Sequence, residues 1–245
     1  MPRQKSHLKI TGTIDDLTYY HSPHGYLIRR TARHDPEKVR TLPSFQRTRE
    51  NAGEFGQVAK TAAHLRALMG EPFLKCGDMS FTSRLISVLH KIMKSDPQSI
   101  KGERTVTLGL QDPAGQQLLT GFELHREKKL TDILQQKIHA DAATGNIHIP
   151  SYASLKWPPS ATHVKWTSAW IRPDPNREEG HVIITHTEPI TLAEPPTSLE
   201  ISPASPLPGT GTAILLLHIQ FFTKQGTELL ALQENRCAQV LTVSS

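Results

Sequence analysis

Residues 41–69 read TLPSFQRTRENAGEFGQVAKTAAHLRALM, the longest stretch of the chain with a helical pattern. Thr41 is placed to cap this helix, and Pro43 falls in its first turn, where a missing N–H removes no intrahelical bond. Phe45, Thr48, Ala52, Phe55, Ala59, Ala62, Arg66 and Met69 recur at intervals of three and four, which predicts one apolar, mostly small stripe. Gly53 and Gly56 each cost about 1 kcal/mol of helix propensity relative to Ala. A helix kept so smooth predicts close approach by another helix, a backbone or a phosphate. Gly53, Gly56, Ala59 and Ala63 are the expected assembly contact, with Arg49 and Lys60 on either side of the glycines.

Upstream, Leu17–His21 and Tyr26–Arg30 flank Ser22-Pro23-His24-Gly25, a turn sequence, so a hairpin is expected. Downstream, Ser80 is expected to cap a helix over Phe81–Lys94 with Phe81, Leu85, Val88, Leu89 and Ile92 on its apolar face. Lys91 and Lys94 fall in its last turn, where the helix dipole favours cations. The segments Arg104–Leu110 and Gln117–Leu124 around Asp112-Pro113-Ala114-Gly115 predict a second hairpin, and Leu130–His139 a third helix.

From Gly145 the texture changes to short alternating segments separated by prolines. Strands are expected at 146–149, 162–171, 181–187, 198–201, 212–222, 228–232 and 238–243. Val164, Trp166, Ser168 and Trp170 share one face, and the two tryptophans read as core; Trp157, beside two prolines, reads as surface. The segment 212–222 is apolar on both faces, as a central strand would be. The fold class expected is α+β: a basic hairpin-plus-helices region, 1–142, then an antiparallel Ig-like β-sandwich, 143–245.

The order of these segments resembles an uncharacterised family of bacterial proteins. The resemblance rests on Thr11–Tyr20 (TGTIDDLTYY), on Phe45–Phe55 (FQRTRENAGEF), on Ala161-Thr162-His163 and on Ile219-Gln220-Phe221-Phe222. It covers most of the chain and carries no activity with it.

The net charge of +5 is unevenly spread. Residues 1–110 hold 18 Lys+Arg against 10 Asp+Glu, and residues 111–245 hold 10 against 13. A basic half suits a polyanion, RNA ahead of DNA, or attraction to the acidic half of a neighbouring copy. The residues expected to line such a groove are Arg29, Arg30, Arg33, Arg47, Arg49 and Lys60.

No GxSxG, P-loop, GxGxxG or HExxH pattern occurs, and the thirteen histidines are scattered. Gly209-Thr210-Gly211-Thr212 precedes a strand rather than a helix, so it reads as a loop without helical N–H groups for a phosphate. No catalytic residue, metal or cofactor is therefore expected. The opening MPRQKSHLKI turns polar where an apolar signal core would start, no apolar run is long enough to span a bilayer, and Cys76 and Cys237 lack a paired spacing. These features predict a cytoplasmic, non-membrane protein. The function expected is a structural subunit that assembles with itself into a filament, tube or shell, its basic region facing nucleic acid without sequence specificity. The alternative is a monomeric β-sandwich module that recognises a protein or glycan.

Overall fold

The computed structural model describes residues 2–31, 35–151, 155–174, 179–233 and 236–245. The chain divides into two compact units, Met1–Arg49 and Glu50–Ser245, and position 142/143 lies inside the second.

The first unit holds a three-stranded antiparallel sheet, β1 (Gly12–Ile14), β2 (Leu17–Ser22) and β3 (Gly25–Arg30). The expected hairpin is present, with Ser22 opposite Gly25 and Tyr20 opposite Leu27. Helix α1 (Pro36–Thr41) follows, begun by the Asp35 carboxylate, which accepts from the Glu37 N–H, and by Pro36 at its first position. Thr41 therefore closes a helix instead of capping the next one. The physical reason is Pro43, which holds the preceding Leu42 in an extended conformation (φ −72°, ψ 137°) and separates α1 from a single 3-10 turn, Pro43–Phe45.

Helix α2 (Gln46–Met69) runs from there across the boundary between the units. Its buried side chains are Glu54, Val58, Ala62, Leu65 and Met69. Of the stripe expected from sequence, only Ala62 and Met69 belong to this set, and Phe55 is 55% exposed. The face that turns inward is the one carrying Val58, Ala62, Leu65 and Met69, all in the apolar core, with Glu54 at its start. The Glu54 carboxylate is satisfied there, accepting from Arg104 Nε (2.8 Å) and Nη2 (2.9 Å) and from the Gly102 N–H (2.7 Å). The Arg104 guanidinium holds the Glu54 carboxyl below the usual carboxylate range.

After the short α3 (Glu71–Leu74) comes α4 (Phe81–Lys94), at the expected bounds and with Phe81, Leu85, Leu89, Ile92 and Met93 buried. Ser80 precedes it without a side-chain capping bond; Asp78 Oδ1 instead accepts from the Ser80 N–H and hydroxyl. The expected second hairpin is replaced by two helices, α5 (Val106–Gln111) and α6 (Pro113–Leu119). Thr105 Oγ1 accepts from the Leu108 N–H and Asp112 Oδ1 from the Ala114 N–H, so both residues act as N-caps. Asp112-Pro113 thus starts a helix and does not make the expected turn. Both helices lie close to their neighbours because of glycine. A Cβ on Gly109 would sit 2.0 Å from the Ile92 carbonyl oxygen, and one on Gly115 1.9 Å from that of Gly109.

The expected third helix shrinks to α7 (Leu130–Ile133). Leu134 is extended and bridges to Leu155, and β4 (His139–Ala140) pairs with β5 (Ile147–Ile149), so sheet pairing overrides the helical spacing beyond Ile133. The remaining strands are β6 (His163–Pro173), β7 (Gly180–His186), β8 (Ile190–Thr191), β9 (Leu199–Ile201), β10 (Ala213–Gln225), β11 (Glu228–Ala231) and β12 (Cys237–Ser244). All seven expected strands are present within a few residues of their predicted ends.

Of β6 to β12, all but β9 form one antiparallel sheet with β10 and β6 at its centre. On one face Ile214, Leu216, Ala169 and Val240 join the buried side chains of α2 and α4 in one apolar cluster. On the other, Leu215, Leu217, Val164, Trp166 and Trp170 join Ile147 and Ile149 of β5 and Ile201 of β9. Trp170 Nε1 donates to the Ala142 carbonyl at 2.7 Å, and Gly145 (φ +77°) passes so close that a Cβ would meet the Trp170 ring at 2.6 Å. The α+β class is therefore present, with helices on one face of the central sheet. Trp157 is half-buried against the second cluster, not at the surface.

Two titratable groups, the half-buried Glu123 and the buried His218, sit against this framework. Glu123 accepts from the Leu130 N–H and from Gln239 Nε2, and burial pushes its carboxyl up to about 7. His218, on β10, lies 5.7 Å from the Phe73 ring, and burial lowers its imidazole to about 4.

Truncating Glu54→Ala is expected to leave the Arg104 charge without its carboxylate and to lower unfolding free energy by about 3 kcal/mol in urea titration. A second expectation concerns pH. Between pH 7 and 5 the folded chain keeps the Glu123 proton that the unfolded chain releases, so this group favours folding as pH falls. His218 acts oppositely from about pH 6.5 downward, because only the unfolded imidazole takes up a proton. Glu123→Gln removes the first effect alone. Its melting temperature should therefore drop more steeply than wild type as pH falls from 6.5 to 5, in parallel calorimetric scans.

Candidate functional site

The residues expected to line a polyanion groove do not form one set. Arg29 and Arg30 are exposed neighbours on β3, and the Arg29 guanidinium lies 5.5 Å from the Tyr20 ring centroid. Consecutive strand residues point to opposite faces, so the two arginines diverge. Arg33 falls outside the described residues. Arg47 is exposed near the start of α2. Arg49 holds the chain together locally, its Nη1 donating to the carbonyls of Val39 (2.8 Å) and Leu42 (3.0 Å) at the end of α1. Lys60 belongs to the second unit.

The expected assembly contact is on the surface. Gly53, Gly56 and Ala63 are exposed and Ala59 is half-buried. A Cβ on either glycine would meet nothing within 4 Å. At 100° per residue, Ala52, Gly56, Ala63 and Ala67 lie roughly opposite the buried face of Glu54, Val58 and Leu65. With Phe55 beside it, this face of α2 is smooth, apolar and exposed.

A second open feature has no counterpart among the sites expected from sequence. Strand β7 reads GHVIITH and carries no Lys, Arg, Asp or Glu. It pairs residue for residue with β6 from Thr167↔His186 to Pro173↔Gly180, without a bulge. Among the described residues no strand pairs with its outer edge. Val182 (38% exposed) and Ile184 (43%) sit on the helix-bearing face of the sheet, opposite Ile171 and Ala169. Exposed edges are ordinarily blunted by charge, proline or a bulge, and this one has none of them. The opposite margin is made of β11 and β12: β12 is covered by 121–124, with the Val240 N–H donating to the Phe122 carbonyl and the Leu124 N–H to that of Ala238, whereas β11 begins with Glu228 and carries the exposed Leu229 and Leu230.

The second unit also contains a cleft of about 430 Å³ along one flank of α2. Gln57, Lys60, Thr61 and His64 of that helix form one wall, and Thr107 and Gln111 of α5 another. Asp174, after β6, and Thr210-Gly211-Thr212, before β10, close it. The loop is held from behind. Arg172 Nη1 donates to the carbonyls of Leu207 (2.7 Å), Pro208 (2.8 Å) and Gly209 (2.8 Å), and its Nε to that of Gly211 (3.2 Å). Two buried polar atoms of the lining residues, His64 Nε2 and Thr212 Oγ1, have no hydrogen-bond partner among the described residues. Nothing local in the sequence marks this cleft, since its walls come from four separate segments.

Cys76 and Cys237 are buried free thiols, and burial pushes Cys76 up to about 12. Among the described residues no three His, Cys, Asp or Glu side chains gather as a metal site would require, and no helix is long and apolar enough to cross a membrane. Comparison of the chain with protein-family models, with curated proteins and with solved structures finds no match.

Proposed function

We propose that this protein is a structural subunit that associates with copies of itself, and that β7 is where the copies join. The observation that carries this reading is the open, uncharged, bulge-free edge of β7 with Val182 and Ile184 exposed. Antiparallel pairing about a two-fold axis at Ile183 brings Val182 of one copy beside Ile184 of the other, on one continuous face. The match is self-complementary, as an isologous contact requires. An edge pair alone stops at two copies. The smooth face of α2, with Phe55, Gly56 and Ala63, supplies a second contact through which dimers extend into a filament, tube or shell. In this reading the central sheet and the β4–β5–β9 sheet form the paired layers of an Ig-like sandwich, supported by the apolar cluster they share. Two free thiols suit a cytoplasmic setting.

One observation favours a polyanion such as RNA as a further partner. Residues 1–49 hold ten Lys+Arg against four Asp+Glu, and Arg29 and Arg30 are exposed. Each phosphate contact removed, beginning with Arg30→Ala, is expected to lower the salt slope of RNA binding by about one unit, measured by fluorescence anisotropy. An unchanged slope would exclude that residue.

For assembly, static light scattering should give wild-type masses well above the 27.3 kDa of one chain. Ile184→Lys should yield monomer with its melting temperature retained, because the side chain is already exposed. Gly56→Leu should fold at least as well as wild type, gaining up to about 1 kcal/mol of helix propensity, but stop at dimers. A wild-type monomer at every concentration tested would end this reading.

A further inference from the structure

We infer that the polyanion contacted by residues 1–49 is a single-stranded nucleic acid, whose bases stack on Tyr19 at one open face of the β1–β2–β3 sheet. This rests on the polyanion reading of that unit and deepens it, naming which polyanion fits and where its bases lie.

The strand register sorts the side chains. Directly paired residues share a face, and the face alternates along each strand. One face therefore carries Ile14, Leu17 and Arg30 in one row and Gly12, Tyr19 and Ile28 in the next. Tyr20, Leu27 and Arg29 lie on the other face. That other face is the covered one: Leu27 is only 8% exposed, and the Arg29 guanidinium stands over the Tyr20 ring. On the first face Ile14 (51% exposed) and Leu17 (40%) are open, and Tyr19 and Ile28 are half-buried.

Tyr19 is the ring with room beside it. Tyr26, farther along the same face, is in use, with the His21 ring 4.7 Å away and the Lys9 ammonium 5.9 Å from its centroid. Among the described residues no ring or cation stacks on Tyr19. Its neighbour on β1 is Gly12, where a Cβ would meet nothing within 4 Å. Arg30 is the diagonal neighbour of Tyr19 across β3, at about 7–8 Å, within reach of the phosphate of a nucleotide stacked on that ring. Counting every residue, 1–49 holds ten Lys+Arg against four Asp+Glu. Two of those four, Asp15 and Asp16 in the turn beside Leu17, already have interactions within the chain.

An apolar, ring-bearing face edged by a cation discriminates among polyanions. A sulfated or phosphorylated polymer offers charge without flat apolar faces and leaves Ile14, Leu17 and Tyr19 uncovered. A duplex keeps its base faces stacked on one another and presents phosphates and edges. A single strand supplies both groups at once, base faces for Tyr19 and the aliphatic side chains and phosphates for Arg30.

The test is fluorescence anisotropy on the full chain with labelled oligouridylate and oligothymidylate, an RNA duplex of equal length, and heparin. Both single strands should bind about tenfold more tightly than the duplex or heparin at equal salt. Tyr19→Leu should weaken single-strand binding at least about fivefold with the salt slope unchanged, since no phosphate contact is lost, and Tyr19→Phe should bind as wild type. If the leucine variant fails to fold, wild-type protein irradiated on bromouracil-substituted single strands should crosslink at Tyr19 by mass spectrometry. Duplex or heparin bound as tightly as the single strands, an unchanged affinity in Tyr19→Leu, or crosslinks confined to residues 50–245 would each overturn the inference and leave the polyanion reading standing. Binding of none of the four probes would remove that reading, and this inference with it, and leave the face to a protein partner.

Discussion

A strand that is apolar on both faces has to be covered on both, and β10 imposes this condition on the second unit. Ile214 and Leu216 point to one side, Leu215, Leu217, Ile219 and Phe221 to the other, and all are fully buried. Burying a side chain of this size contributes about 1.5–3 kcal/mol. The helices α2 and α4 cover one side and the β4–β5–β9 sheet the other. Val58, Ala62, Leu65 and Met69 set the rotation of α2 by joining that core, and the Glu54–Arg104 ion pair satisfies the carboxylate that goes in with them.

The surface features follow from that rotation. With Glu54, Val58 and Leu65 turned inward, the glycine face of α2 points away from the core and the flank carrying Lys60 and His64 borders the cleft. One helix therefore serves core, smooth surface and polar wall with three different stripes. The central sheet ends at β7 on one side and at β11 and β12 on the other, where β12 is covered by residues 121–124.

Much of this is legible in the sequence where burial is one-dimensional. The Trp166/Trp170 face, the central character of residues 212–222 and the apolar face of α4 all follow from periodicity alone. The failures have particular causes. Asp112-Pro113 fits both a turn and a helix start, and only the packing of α5 and α6 on α4 chooses between them. The stripe beginning at Phe45 is mostly small, and the face carrying Val58, Leu65 and Met69 is buried in its place; Glu54 on that face gives no sign in sequence that Arg104, fifty residues away, is its partner. The cleft is invisible for the same reason. Gly209-Thr210-Gly211-Thr212 lacks a helix behind it, yet Arg172 fixes the backbone in place of one.

Gly109 and Gly115 carry a consequence for motion. The backbones of α4, α5 and α6 touch with no side chain between them, so these three helices have no compressible layer along which to slide. Such a block breathes only by separating whole, and its amide hydrogens should exchange with solvent as one cooperative group. Val106 and Leu110 belong to this block and also floor the cleft, so that floor inherits its stiffness.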